Sequence, residues 1–486
     1  MDTGGEKITT YSCSQWTERI LILIVTLRMI VGGMDALLLP IAIPAISKEF
    51  GGEWASLLLM SQGVVLAGLL VFSGRIGDKI GLKRIFIAGT ILFLIGTGLS
   101  AYASSMEELL VFRVLSSLGT TLGLAVAFPL LRIHIPEERR GRAFGFATAG
   151  TSIGLVISPG LFGYCLQYLS WQVMFLTMIP FGLVILVAGI LYIPKDSDLR
   201  VLQSMDLIGA VLLMIALGIF SLGLPISIYT KNISGILITL AVTAVFVALF
   251  IIWERRAENP IAEPDLIRLR EVRVPLFLTL GVYTIFFGFL FFVPVFLNEI
   301  LMLSPIQSGI MIGLASVIPA IGNPLSGFII ERYGMKSILH LITGGSIAGM
   351  LLSLSLILTS YIGGLNAIML SLFFFGVFFA CMRTSVYYYY YQSVPADRAG
   401  TAGGILETSI EITAPVSLMI VHLSFASGII LGSGGIVSIR NIAVDIISGV
   451  QGIFICFFMI CLGMLLIILR EYRTPKPSSA QPERDY

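Results

Sequence analysis

Long apolar stretches separated by short polar ones organise this 486-residue chain. An apolar run of about 20 residues is long enough to cross a bilayer as a helix. Such runs predict fourteen spanning helices, at residues 20–47, 54–76, 85–104, 108–132, 141–166, 171–193, 206–228, 233–253, 275–300, 305–330, 337–358, 363–391, 399–425 and 449–470. Several are long enough to imply tilt or extension past the bilayer. Of the 30 Lys and Arg, only Lys48, Lys231 and Arg440 fall on the side opposite the N-terminus, while Arg28, Arg113 and Arg383 fall within spans. Positive charge accumulates on the cytoplasmic side of a membrane protein, so both ends are expected in the cytoplasm.

Composition agrees with that pattern. The chain is 57% hydrophobic and 12% charged, with a mean hydropathy of +0.97. A soluble domain carries about twice that share of charge. The net charge of +2 is uninformative, because charge here is segregated rather than abundant. Five cysteines (13, 165, 381, 456 and 461) show no paired spacing, so neither a disulfide framework nor a zinc site is expected. The polar first 19 residues lead directly into a full-length apolar run, which does not read as a cleavable leader.

Two polar loops repeat. Gly74-Arg75-Ile76-Gly77-Asp78-Lys79-Ile80-Gly81-Leu82-Lys83-Arg84 matches Gly327-Phe328-Ile329-Ile330-Glu331-Arg332-Tyr333-Gly334-Met335-Lys336-Ser337 in register, with an acid, a base, glycine and lysine at equivalent places. Pro136–Gly141 and Pro395–Gly400 form a second pair at nearly the same offset. Two echoing halves in a membrane chain are the mark of alternating access. The offset pairs the second span with the tenth. It divides the chain into a cytoplasmic tail (1–19), an N-terminal six-helix bundle (20–193), two inserted helices (206–253), a cytoplasmic linker (254–274), a C-terminal six-helix bundle (275–470) and a disordered cytoplasmic tail (471–486). The outer loop 426–448, rich in Gly and Ser, suggests no fold of its own.

These residues resemble the major facilitator superfamily, and within it the fourteen-span drug:proton antiporter group. The loop Gly74–Arg84 looks like the superfamily's loop between spans 2 and 3. The resemblance implies a gating loop at Gly74, Gly77, Asp78, Gly81, Lys83 and Arg84, echoed by Glu331, Arg332 and Gly334. Its physics is readable: glycines allow close helix approach and a tight turn, and Asp78 is placed to cap a neighbouring helix or pair with a base. The bland alternative is a solvated turn that only sets topology. Met34-Asp35-Ala36 through Pro44 resembles the group's span-1 motif, and Arg113 matches the arginine of span 4. Gly154 through Gly163, with Pro159, resembles the span-5 antiporter motif, although Ser158 and Phe162 replace two of its glycines. Trp171–Pro180, Met205–Ala210 and Asn259–Pro264 resemble segments that separate the fourteen-span group from its twelve-span relatives.

Ionisable groups within spans are costly and therefore mark candidate function. The acids are Asp35, Glu407 and Glu411, expected to exchange protons; the bases are Arg28, Arg113 and Arg383, expected in substrate contact or charge relay. At 1.5 Å per residue, Asp35 lies about 22 Å into span 1 and Arg113 about 8 Å from the outer face, so the two could meet in one outward vestibule. Glu407 and Glu411 lie about 12 and 18 Å deep on one face of span 13, with Arg383 at a depth similar to Glu407. Either these acids hold a proton in one access state and release it in the other, or each has a permanent Arg partner and merely fixes packing. The run Tyr387–Tyr391 reads as an interfacial belt, with one or two rings turned toward the pathway or a neighbouring helix. The Phe-rich runs around 286–292 and 373–379 read as mostly lipid-facing.

The expected function is proton-coupled export of hydrophobic or amphipathic compounds such as drugs, by alternating access, from a prokaryotic cell membrane. The alternative is a carrier or flippase-like protein for one dedicated metabolite or lipid. No Walker loop or zinc motif is present, so no enzyme and no cofactor are expected, and uphill transport must draw on an ion gradient. The expected partners are a small-molecule substrate, protons and membrane lipid, not nucleic acid, and the protein is expected to act as a monomer.

Overall fold

The computed structural model describes residues 15–51, 55–195, 206–230, 232–257, 266, 268–295, 297, 305–362, 365–395, 398–432 and 439–473. Among these there are helices and no strand. In chain order they are α1 (Gln15–Phe50), α2 (Ala55–Ile80), α3 (Leu82–Ser100), α4 (Met106–His134), α5 (Glu137–Tyr168), α6 (Trp171–Leu176), α7 (Met178–Tyr192), α8 (Leu207–Tyr229), α9 (Ile233–Glu254), α10 (Arg270–Val295), α11 (Pro305–Tyr333), α12 (Met335–Ile362), α13 (Leu365–Gln392), α14 (Ala399–Gly432) and α15 (Ile439–Arg473). Twelve helical segments among the described residues are long and apolar enough to cross a membrane. The other two predicted spans, 54–76 and 206–228, fall on α2 and α8.

Local chemistry sets several boundaries. Ser105 caps α4 by accepting from the Glu108 N–H at 3.2 Å, and Glu108 Oε2 accepts from Ser104 N at 2.9 Å. This reciprocal arrangement satisfies donors that a helix start leaves free. Both copies of the repeated loop turn at a glycine with positive φ, Gly81 at 114° and Gly334 at 65°, a region open to glycine at little steric cost. Helix α1 starts before the apolar run, because Glu18 is buried in an ion pair with Arg139 at 2.7 Å and holds the first turn in place. The outer loop 426–448 is corrected: α14 continues to Gly432 and α15 starts at Ile439, with 433–438 outside the described residues. Most of the tail 471–486 and part of the linker 254–274 also lie outside them.

Helices α1–α7 pack among themselves, as do α10–α15, and the two groups meet along two seams, α2 against α14 and α5 against α11. Both seams are closed through glycine. A Cβ on Gly74 would overlap the carbonyl of Gly400, and one on Gly404 would overlap the carbonyl of Leu70. A Cβ on Gly327 would overlap the carbonyl of Gly141, and one on Gly145 would lie 2.7 Å from the carbonyl of Asn323. The sequence repeat thus reappears as equivalent contacts: Gly74 meets Gly400 as Gly327 meets Gly141. Of the inserted pair, α8 packs on α9, α2 and α14, while α9 lies almost wholly exposed at the periphery.

The aromatic runs are placed differently from expectation. All five residues Tyr387–Tyr391 are buried, because the end of α13 sits between the two groups rather than at their surface. Phe128 of α4 lies 4.5 Å from Tyr387, and Phe144 of α5 lies 5.5 Å from Tyr391 between ring centres. The Phe runs are also mostly inside. Phe289 stacks on Phe375 at 3.9 Å and Phe286 on Phe379 at 4.6 Å, joining α10 to α13, whereas Phe373 faces outward.

The seam geometry predicts which glycines matter for stability. Gly404→Val places a side chain against the backbone of α2, with Val71 Cα only 2.6 Å from the first added atom. Overpacking of this kind costs about 1–3 kcal/mol, so a clear drop in melting temperature is expected in detergent. Gly463→Ala, where an added Cβ meets nothing within 4 Å, should melt like the wild type.

Candidate functional site

Asp35 and Arg113 are brought together. Arg113 Nη1 donates to Asp35 Oδ1 at 3.0 Å, with both side chains essentially inaccessible. Gln62 of α2 completes a ring: its Nε2 donates to Asp35 Oδ2 at 2.9 Å and its Oε1 accepts from Arg113 Nη2 at 3.1 Å. Arg113 also lies over the Phe175 ring at 5.7 Å. Removing either charge leaves the other buried and unmatched, the costliest change such a pair can suffer. Gln62 carries no charge, so ionisable groups within spans do not point to it; a lone amide in an apolar span is the signal that does.

Arg28 is placed elsewhere. It points from α1 toward α3 and α4, donating to the Thr120 carbonyl at 3.0 Å and lying over Phe93 at 5.6 Å. Its Nη1 has no hydrogen-bond partner among the described residues. Gly123 leaves the room it needs, since a Cβ there would come within 2.8 Å of Arg28 Nε.

The second acidic site lies on α14. Tyr387 O–H donates to Glu407 Oε1 at 2.9 Å, and Tyr283 O–H donates to the Tyr387 oxygen at 3.3 Å. Arg383 does not ion-pair with Glu407. Instead it reaches across to α5, with Nη1 on the Thr148 carbonyl at 3.2 Å and Nη2 on Thr151 Oγ1 at 3.0 Å. Glu411, one turn further along α14, is half-buried and makes no hydrogen bond or ion pair with another described residue. The three acids therefore differ in kind: Asp35 is held by two donors, Glu407 by one hydroxyl and Glu411 by none.

At the end of the bundle expected to face the cytoplasm, Asp78 caps α14. Its Oδ1 accepts from Gly400 N at 2.7 Å; its Oδ2 accepts from Thr401 N at 2.7 Å and Thr401 Oγ1 at 2.8 Å. An anion at a helix N-terminus meets free N–H groups and the positive end of the dipole. Its counterpart Glu331 lies 3.7 Å from Arg142 Nε at the start of α5. Lys83 donates to the carbonyls of Ile190 (2.8 Å) and Ile193, closing the end of α7. Gly77 packs against Val126, while Arg84 and Arg332 are exposed. Arg132 adds bonds to the carbonyls of Tyr391 (2.7 Å) and Val394 (3.3 Å), and Gln392 bonds Glu137. This end of the seam is sealed.

The antiporter motif divides. Gly154 is where α5 touches α1, since a Cβ there would overlap the Ile30 carbonyl. Gly163 faces open space, and Pro159 lies near Gly313 of α11.

Comparison with known proteins places this geometry. Residues 24–418 match the pattern described as Major Facilitator Superfamily. The chain is 26% identical over 412 residues to the tetracenomycin C resistance and export protein of Streptomyces glaucescens, covering 84% of this chain and 76% of that one. It is 24% identical over 323 residues to the riboflavin transporter RibZ of Clostridioides difficile, covering 66% and 70%. Among solved structures, the human organic anion transporter MFSD10 (TETRAN) superposes with a TM-score of 0.68 at 15% identity, covering 93% of this chain and 99% of that one; that likeness concerns the fold.

The cap predicts a mutational result. Asp78→Asn keeps one acceptor but turns an amide N–H toward a backbone N–H and removes the charge. Loss of such charge-assisted bonds costs the sealed state about 1–3 kcal/mol. A cysteine introduced near this seam should label faster from the cytoplasmic side in Asp78→Asn, with membrane insertion unchanged and transport reduced. Wild-type labelling and transport in that variant would remove Asp78 from the seal.

Proposed function

The chain belongs to the Major Facilitator Superfamily, and on that premise we propose that it is a secondary transporter exporting hydrophobic or amphipathic compounds in exchange for protons. The observation that carries the reading is the arrangement on α14. One helix bears Glu407 and Glu411, the latter with no hydrogen bond or ion pair among the described residues, and its first turn is the end held by Asp78. Glu411 lies ten residues from Thr401, about 15 Å along the helix. A proton gained or lost at these carboxyls changes the charge on the element that the seal grips. Asp35 is the rival proton site, but its two hydrogen-bonding partners make it the harder group to neutralise without dismantling the ring.

Membership of the family and the export function in the Streptomyces relative's name support a drug-export reading. The riboflavin transporter among the relatives keeps the second reading open, a carrier for one dedicated metabolite. Residues 20–193 and 275–470 are assigned as the two moving bundles and 206–253 as an inserted pair, in a prokaryotic plasma membrane with both termini in the cytoplasm. The glycine contacts paired across the two seams support that division.

The test uses proteoliposomes with an imposed pH gradient. Glu411→Gln, Glu407→Gln, the double variant and Asp35→Asn are compared for uphill accumulation and for gradient-free exchange. The double variant is expected to lose uphill transport while retaining exchange, because coupled carboxyls can share one titration. If all neutralised variants still concentrate substrate, proton exchange through these acids is wrong.

A further inference from the structure

Midway along the α5/α11 seam lies a hydrogen-bonded cluster with donors left over. Thr148 Oγ1 and Thr384 Oγ1 are 2.8 Å apart, and Thr384 Oγ1 donates toward the carbonyl and side-chain oxygens of Asn323, each at 3.3 Å. Arg383, next in sequence to Thr384, is bonded to Thr148 and Thr151 of the same cluster. Asn323 is 0% exposed and Arg383 is 6% exposed. Yet Asn323 Nδ2 and Arg383 Nε have no hydrogen-bond partner among the described residues. Buried donors are nearly always satisfied, so two unmet donors in one cluster point to an acceptor that the described residues do not supply.

Depth and charge narrow what that acceptor is. Asn323 lies ten residues before the end of α11, Arg383 nine before the end of α13 and Thr148 eleven after the start of α5. At 1.5 Å per residue each sits about 14–17 Å from the cytoplasmic end, close to the middle of a bilayer core about 30 Å thick. Alternating-access carriers hold substrate at this depth, between their repeats. The charge of Arg113 is matched by Asp35, and Arg28 is turned away toward α3 and α4. Arg142 of this seam faces Glu331, whereas no carboxylate among the described residues lies within ion-pair distance of Arg383. Its guanidinium lies over the rings of Phe379 (5.5 Å) and Tyr387 (5.9 Å). Phe379 continues into near-parallel stacks, 16° to Phe286 and 5° to Phe375. Parallel rings beside a guanidinium suit a flat aromatic body.

We propose that Arg383 and Asn323, with the Phe379 wall, form a substrate subsite that selects planar aromatic compounds bearing an oxygen acceptor, carbonyl or anionic, over planar aromatic cations. This rests on the transporter reading and names the class of its cargo. In the sealed state the two donors wait unmet; opening of the α5/α11 seam admits the acceptor oxygen to them.

The test is equilibrium binding to purified full-length protein in detergent, without a gradient, using two flat probes of similar size. Anthraquinone-2-sulfonate carries acceptor oxygens and a negative charge; ethidium is a cation without oxygen. Wild type is expected to bind the sulfonate at least about tenfold more tightly. Arg383→Gln and Asn323→Ala should each weaken it about tenfold or more while leaving ethidium within about twofold, since a hydrogen bond to a charged group is at stake. Arg383→Lys keeps the charge but loses Nε and should recover only part. If Arg383→Gln does not purify as a monodisperse species, Asn323→Ala and Thr151→Val decide the matter. Ethidium binding as tightly as the sulfonate, or a folded Asn323→Ala with unchanged sulfonate affinity, overturns the proposal. Proton-driven export of cations without sulfonate binding would sink this subsite alone. Sulfonate binding without gradient-driven export would support the subsite and sink proton exchange instead.

Discussion

Two helices can touch backbone to backbone only where neither presents a side chain, and this molecule uses that constraint at the place where its halves must part. At the α2/α14 seam, Gly74, Gly400 and Gly404 remove the steric barrier, and Asp78 then reaches the N–H groups of Gly400 and Thr401. The glycines contribute nearness and the carboxylate contributes directionality. Neither works alone. Without the close approach, Asp78 could not reach the first turn of α14; without Asp78, the free N–H groups of that turn would face a seam with no acceptor. The α5/α11 seam repeats the glycines but not the cap, since Glu331 meets Arg142 through a side chain at 3.7 Å.

That asymmetry orders the rest of the site. The capped seam leads along α14 to Glu407 and Glu411, and the uncapped seam leads to Asn323 and Arg383. On the proposed reading, acid chemistry and cargo chemistry fall on different seams. Tyr387 stands between them, donating to Glu407 and lying beneath the Arg383 guanidinium. A change at either carboxyl is therefore one side chain away from the proposed cargo subsite.

The fold, the repeat and two contacts were legible in the chain itself. Hydropathy located the helices, the in-register loops paired α2 with α11 and offered Asp78 as a cap, and charge within spans singled out Asp35 with Arg113. What was not legible depended on which face of a uniformly apolar helix turns inward. Helical periodicity is silent when every face is apolar, so the Tyr run read as an interfacial belt and the Phe runs as lipid-facing although α13 is wedged between the groups. Arg28 groups with Arg113 as a base within a span, yet it turns toward α3 and α4, where Gly123 of α4 leaves it room. The Asn323–Thr384–Thr148 cluster joins residues far apart in sequence, each an unremarkable polar residue in its own span.

The central claim is that titration of α14 carboxyls works the seal at the first turn of the same helix. It is tested by electron-spin distance measurement between labels at Arg84 and Lys336, exposed positions on opposite halves of the sealed end, in lipid nanodiscs across a range of pH. The account predicts two distance populations whose ratio shifts with pH in the wild type, and a ratio insensitive to pH in the Glu407→Gln, Glu411→Gln double variant. A pH-dependent ratio that survives the double substitution would contradict it.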